Sequence, residues 1–138
     1  MVKQVRSAAA APSFGASRAF GFLSVDPAPR LAPDALGDLS ASYSEDEIFD
    51  LVVPKRTLAR RQAKKEPLTV EETDKALRLG RIAALAARVF GDRDKAARWL
   101  RKPKRELGGA TPLAFLASEV GARRVEEMLT RIDHGMAA

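Results

Sequence analysis

Between Thr69 and Gly91 the sequence spaces its apolar residues with the period of an α-helix, and no other segment constrains the fold as much. "PLTVEE" opens it with a capping box: the Thr69 hydroxyl can accept from the amide of Glu72, and the Glu72 carboxylate can reach back to the amide of Thr69. Behind this start Leu79, Ile82, Leu85, Ala86, Val89 and Phe90 recur on one broad face, with Lys75, Arg78, Arg81 and Arg88 assigned to the other. The spacing predicts a helix over 70–91, the longest in the chain, stopped by Gly91. Aromatic residues make up only 6% of the sequence, so the core must be built from Leu, Ala, Val and Ile, which suits helices better than a sandwich or barrel. No segment alternates like a strand and no internal repeat is visible. The expected class is all-α: a compact helical domain.

The flanking elements follow from their punctuation. "VDPAPRLAPDALGD" reads as a linker with at most one short helix around 33–40. "SEDE" is a second capping box, Ser44 with Glu47, and Ile48, Leu51 and Val52 form the apolar side of a short helix behind it. Pro54 interrupts that helix and is suited to begin the next, which runs through "KRTLARRQAK" with Leu58 turned inward. "DRDKAARWLRK" predicts a short helix ended by Pro103, with Trp99 and Leu100 inward. A Gly108-Gly109 turn, Thr111 as N-cap and Pro112 at the first helical position start another helix, for which Gly121 is the expected C-terminal cap. A last helix is expected over 122–134, with Val125, Met128, Leu129 and Ile132 inward and Gly135 at its end.

Charge is unevenly placed. The chain of 138 residues carries 24 Lys+Arg against 18 Asp+Glu, a formal charge of +6. Lys55, Arg56, Arg60, Arg61, Lys64 and Lys65 account for the whole excess, with no acid between them, while the preceding helix carries Glu45, Asp46, Glu47 and Asp50. Such segregation resembles a docking surface more than mixed solvation, although a solvated basic face is the ordinary alternative. Two short helices joined by a tight turn, the second one basic, is the layout of a helix-turn-helix, whose second helix meets phosphates and base edges in the major groove. Lys55, Arg56, Thr57, Arg60 and Arg61 fall on the part of that helix expected to be exposed, and Lys64 and Lys65 extend the charge.

Catalytic patterns are thin. The chain has no cysteine, which removes disulfides, thiolate catalysis and Cys-based zinc sites and suits a reducing cytoplasm. One histidine, His134, rules out a His cluster for a metal and has no evident orienting partner; at a helix end it favours the dipole. Gly108-Gly109 and Thr111 lack the residues of a phosphate loop, and the neighbouring Glu126 and Glu127 diverge. These features point away from an enzyme, a cofactor, a metal or a membrane partner. Residues 1–25 contain Lys3, Arg6 and Arg18 without an acid, a composition that imitates a mitochondrial presequence but reads more simply as a loose bacterial extension.

Several motifs together bring in a family: "RTLARR", "LT.EE...ALRL", "VFGD...A..WL" and above all "LGG.TPL.FL....G...VE.ML.RI.HG". Over roughly residues 44–136 the chain resembles the antitoxins of the Xre/MbcA/ParS family. The resemblance implies a reduced Xre-like helix-turn-helix with the long connecting helix over 44–91, after an N-terminal extension, partly flexible, over 1–43. It implies a helical toxin-binding domain over 92–138. The implied partners are a RES-domain toxin that consumes NAD, whose cofactor pocket the antitoxin covers, and the operon's own operator DNA, bound as a homodimer. DNA contact would fall on Lys55, Arg56, Thr57, Arg60, Arg61 and Lys64, and toxin contact on Arg124, Glu127, Arg131, Asp133 and His134. Leu107, Gly108, Gly109, Pro112 and Gly121 belong to the motif as shapers of turns. Members of the family often carry glycine in the turn before the recognition helix; this chain has "LVVPK", which implies a reshaped turn. A stand-alone helix-turn-helix repressor that dimerises through its C-terminal part is the alternative reading.

Overall fold

Pro33, Leu36 and Leu39 stand three residues apart, and the chain winds there into the 3-10 helix Pro33–Ala41, whose period of three stacks all three side chains on one buried line. The computed structural model of the protein describes residues 29–135, and among them every regular element is a helix. The α-helices are α1 (Glu45–Leu51), α2 (Lys55–Lys64), α3 (Val70–Phe90), α4 (Arg93–Leu100), α5 (Pro112–Phe115) and α6 (Glu119–Asp133), with a 3-10 turn at Arg105–Leu107. The all-α expectation therefore holds. The features of residues 1–25 lie outside the described residues. No described helix is long and apolar enough to cross a membrane.

The chain divides into two compact units, one through Arg81 and one from Ile82 onward. In the first, α1 and α2 both pack on the 3-10 helix. Leu36, Leu39, Tyr43, Ile48, Val52, Val53, Leu68, Ala76 and Leu79 are buried there. The stretch read as a linker thus carries its short helix and also supplies core. It is tied down by backbone: the Leu68 amide donates to the Leu31 carbonyl at 2.8 Å, the Leu31 amide to Thr73 Oγ1 at 3.0 Å, and Arg30 Nε to the Leu68 carbonyl at 2.9 Å. The Tyr43 hydroxyl donates to the Leu79 carbonyl at 2.8 Å inside the core.

Both capping boxes form as the sequence predicts. Ser44 exchanges hydrogen bonds with Glu47 at 2.9 and 3.2 Å, and Thr69 with Glu72 at 2.9 and 3.0 Å. The turn between α1 and α2 is made without glycine: Val52 has φ −121° and Pro54 φ −60°, and both Val52 and Val53 are buried. Helix α2 ends instead on Lys65, at φ +55° the only described non-glycine residue with positive φ. The Lys65 amide donates to the Gln62 carbonyl at 3.2 Å and the Glu66 amide to the Arg61 carbonyl at 2.9 Å, a Schellman cap with lysine in the place glycine usually takes.

The polar face assigned to α3 needs one correction. Lys75, Arg81 and Arg88 are exposed, but Arg78 is buried, at 8% exposure. Helical geometry explains why: Arg78 lies four residues before Ile82 and seven before Leu85, so it sits on their stripe and not opposite it.

In the second unit Ile82, Ala86, Ala96, Leu100, Leu107, Leu116, Ala122, Val125, Met128 and Leu129 form the core. Asp92 caps α4 by accepting from the amide of Asp94 at 2.9 Å, and Trp99, only half-buried, lies with its ring 5.7 Å from that of Phe90. Thr111 caps α5 with Pro112 at its start, as predicted. Gly121, however, is not a C-terminal cap. Helix α5 stops at Phe115, Ser118 caps α6, and Gly121 lies in the first turn of α6, its amide donating to Ser118 Oγ at 3.0 Å. A Cβ at Gly121 would overlap the Phe115 carbonyl oxygen. Close backbone approach, not positive φ, is what this position asks of glycine.

Candidate functional sites

Helix α2 is the more basic of two candidate surfaces and buries no residue at all. Lys55, Arg56, Arg60, Lys64 and Lys65 are exposed, while Thr57 and Leu58 are half-buried. Arg61 departs from the exposure expected of it. Its Nε lies 3.0 Å from Glu72 Oε1 and its Nη2 donates to Glu72 Oε2 at 3.2 Å, with Glu66 a further partner at 3.9 Å. Both side chains of the Arg61–Glu72 pair are 14% exposed. Burial by itself would raise the Glu72 pKa, but the Thr69 amide and the Arg61 guanidinium outweigh it and hold the carboxyl below its ordinary range. Arg61 thus locks α2 to the cap of α3. The free charge on α2 belongs to Lys55, Arg56, Arg60, Lys64 and Lys65.

Helix α6 carries the second surface. Gly121, Ala122, Val125, Met128 and Leu129 bury one face against the core. On the opposite face Val120, Arg124, Glu127 and Arg131 fall at four-, three- and four-residue intervals, which places them on one stripe. Val120 is 81% exposed, and Val70 is the other large apolar residue exposed among those described. Arg124 and Glu127 lie 3.9 Å apart and remain largely in solvent. Nearer the helix end the side chains are held: Arg131 Nη2 donates to Glu106 Oε2 at 3.3 Å, and Arg88 Nη1 to Asp133 Oδ2 at 3.5 Å. His134 is exposed at the C-cap, its amide donating to the Thr130 carbonyl at 3.1 Å. Of the five residues expected here, Arg124, Glu127 and Arg131 share the stripe, and Asp133 and His134 stand at its end. Reading the sequence missed Val120, because taking Gly121 as a helix terminator cut Val120 off from the helix in whose first turn it lies.

A third cluster was also missed. Arg98, Arg101, Lys102, Lys104 and Arg105 crowd eight residues at the end of α4 and the loop after it. Outside residues 55–65 the chain's charges cancel in sum, and that average conceals a local excess. A scan in short windows would have found it.

Residues 85–135 match the family described as the antitoxin Xre/MbcA/ParS C-terminal toxin-binding domain. The chain is 45% identical over 86 residues to the protein named antitoxin Xre of Pseudomonas putida, covering 62% of this chain and 54% of that protein. It is 38% identical over 84 residues to antitoxin Xre of Photorhabdus laumondii, covering 60% and 57%. With antitoxin Xre of Yersinia enterocolitica the identity is 34% over 100 residues, covering 71% and 68%. The chain thus spans little more than half the length of the first two of these curated relatives.

Proposed function

The chain belongs to the Xre/MbcA/ParS antitoxin family, and from that premise we propose that it is the antitoxin of a type II toxin–antitoxin pair. In this reading it acts in the cytoplasm by covering the NAD pocket of a RES-domain toxin, without chemistry of its own. The observation that carries the reading is the α6 stripe. An exposed valine beside an arginine and a glutamate, on a helix whose other face is locked into a core, has the makeup of an interface anchor ringed by polar groups. Arg131 and Asp133, already held by Glu106 and Arg88, would enter the interface with little entropy left to lose.

Operator binding is the second part of the proposal. Helix α2 offers Lys55, Arg56, Arg60 and Lys64 to phosphates and base edges, with Thr57 beside them and Arg61 as the residue that positions the helix. Binding would be as a homodimer and strongly salt-dependent. If the chain instead acts as a stand-alone repressor that dimerises through its C-terminal part, the wholly exposed face of α2 carries its activity alone.

Cellular NAD separates these readings. It is measured in a host expressing the adjacent reading frame, with the parent chain, with Val120→Asp plus Arg124→Glu, or with Lys55→Gln plus Arg60→Gln. The expected result is a fall in NAD that the parent and the α2 variant reverse and the α6 variant does not. Loss of protection in the α2 variant, with the α6 variant fully protective, would sink the antitoxin reading and favour the repressor. Truncation after Gly121 is not a clean test, because it removes buried Val125, Met128 and Leu129 along with the surface.

A further inference from the structure

The five cations between Arg98 and Arg105 have no role in the surfaces on α2 and α6. The one acid within residues 98–106, Glu106, is turned to Arg131 at 3.3 Å. Arg101 Nη1 donates to the Ala97 carbonyl at 2.9 Å, an ordinary use of a cation at a helix C-terminus, and the helix dipole accounts for Arg98 as well. Lys102, Lys104 and Arg105 lie beyond the last turn of α4, where that explanation ends.

The loop that carries them is held in shape. The Lys104 amide donates to the Ala110 carbonyl at 2.9 Å, the Gly109 amide to the Lys104 carbonyl at 2.9 Å and the Gly108 amide to the Arg105 carbonyl at 3.0 Å. The Lys104 ammonium rests 4.8 Å from the centroid of the Trp99 ring. Burial, and then the like charge of Lys102, hold its pKa below the ordinary lysine value, with Glu106 opposing. The fold therefore tolerates a crowd of like charges on a fixed platform, which a bound anion would relieve.

The chemistry favours a polyphosphate over a protein surface. None of the large apolar residues exposed in the described structure belongs to this cluster. Protein interfaces have an apolar centre and are poor in lysine, whereas nucleic-acid interfaces are polar and strongly positive. We propose that Arg98, Lys102, Lys104 and Arg105 form a second DNA contact, one that grips the phosphate backbone without reading sequence. It rests on the operator-binding part of the proposed function and extends that contact to the unit from Ile82 onward.

The test is fluorescence anisotropy of the full chain over a range of NaCl, on a duplex from upstream of its own gene and on a scrambled duplex. The parent is compared with Arg98→Gln/Lys102→Gln/Arg105→Gln and with Lys55→Gln/Arg56→Gln/Arg60→Gln, after thermal melts confirm that each variant folds. Three phosphates are no longer neutralised in the first variant, so its salt slope should shrink by up to about 2.7, from about 0.9 per phosphate, and affinity should fall equally on both duplexes. Unchanged slope and affinity in that variant, with binding lost in the α2 variant, would overturn the proposal and leave operator binding intact. The proposal falls equally if the first variant keeps DNA and loses only the toxin, which would assign the cluster to an acidic protein. If the parent binds neither duplex, operator binding and the second contact fall together.

Discussion

Replacing Gly121 by alanine tests the α5–α6 junction at its tightest point. The added Cβ would overlap the Phe115 carbonyl oxygen, lie 2.9 Å from the Phe115 carbonyl carbon and 3.1 Å from Ser118 Oγ. Ser118 can rotate away, but its hydroxyl then ceases to cap α6. The Phe115 carbonyl is backbone and can move only if α5 and α6 separate. Overpacking of this kind costs about 1–3 kcal/mol, and a backbone obstacle puts Gly121→Ala at about 3. A unit of this size loses about 4 °C or more in Tm per kcal/mol, so the variant should melt about 12 °C or more below the parent. Far-UV circular dichroism on heating reads this directly. Gly37→Ala is the control: nothing lies within 4 Å of its Cβ position and its φ is not positive, so it should be neutral or slightly stabilising. A Gly121→Ala variant melting within about 2 °C of the parent, a shift worth less than about 0.5 kcal/mol, would refute the close approach as the reason for glycine.

Arg61→Ala should destabilise by about 1–2 kcal/mol in urea melts, since it strands Glu72 in a part-buried site, whereas Arg60→Ala should cost less than about 0.5. Because the folded Glu72 pKa is lowered, its contribution is present above the unfolded glutamate value of about 4.3 and fades as pH falls through the folded value. The gap between parent and Arg61→Ala should therefore close in acid; a gap that stays constant down to acid unfolding would count against the pair. Lys65→Gly should raise stability by about 0.5–1 kcal/mol by relieving a left-handed lysine, and a loss of stability would show that the αL cap is not strained. Tyr43→Phe should cost about 1 kcal/mol through the lost hydrogen bond to the Leu79 carbonyl, and no change in the urea midpoint would show that this bond adds nothing to stability.

Much of this protein was decided within a few residues of each position. The Ser44–Glu47 and Thr69–Glu72 boxes, Thr111 and Pro112 at the start of α5, and Gly91 and Gly135 at helix ends form as their local chemistry dictates, because a cap involves only backbone three or four residues away. The helical class follows for the same reason. The tertiary structure decided what depends on chain brought in from far along the sequence. Arg61 looked free because its partner Glu72 lies eleven residues on, across the turn that ends α2. The supposed linker became core because Leu31 and Thr73, forty-two residues apart, meet by a hydrogen bond. Gly121 looked like a terminator because glycine ends helices more often than it admits a neighbouring carbonyl, and Val120 was hidden by that same choice. Local propensity states which conformation a residue prefers, but only packing states which surface it meets. The helices could be read from the sequence, while the face each one leaves exposed, and with it the candidate sites, came from the fold.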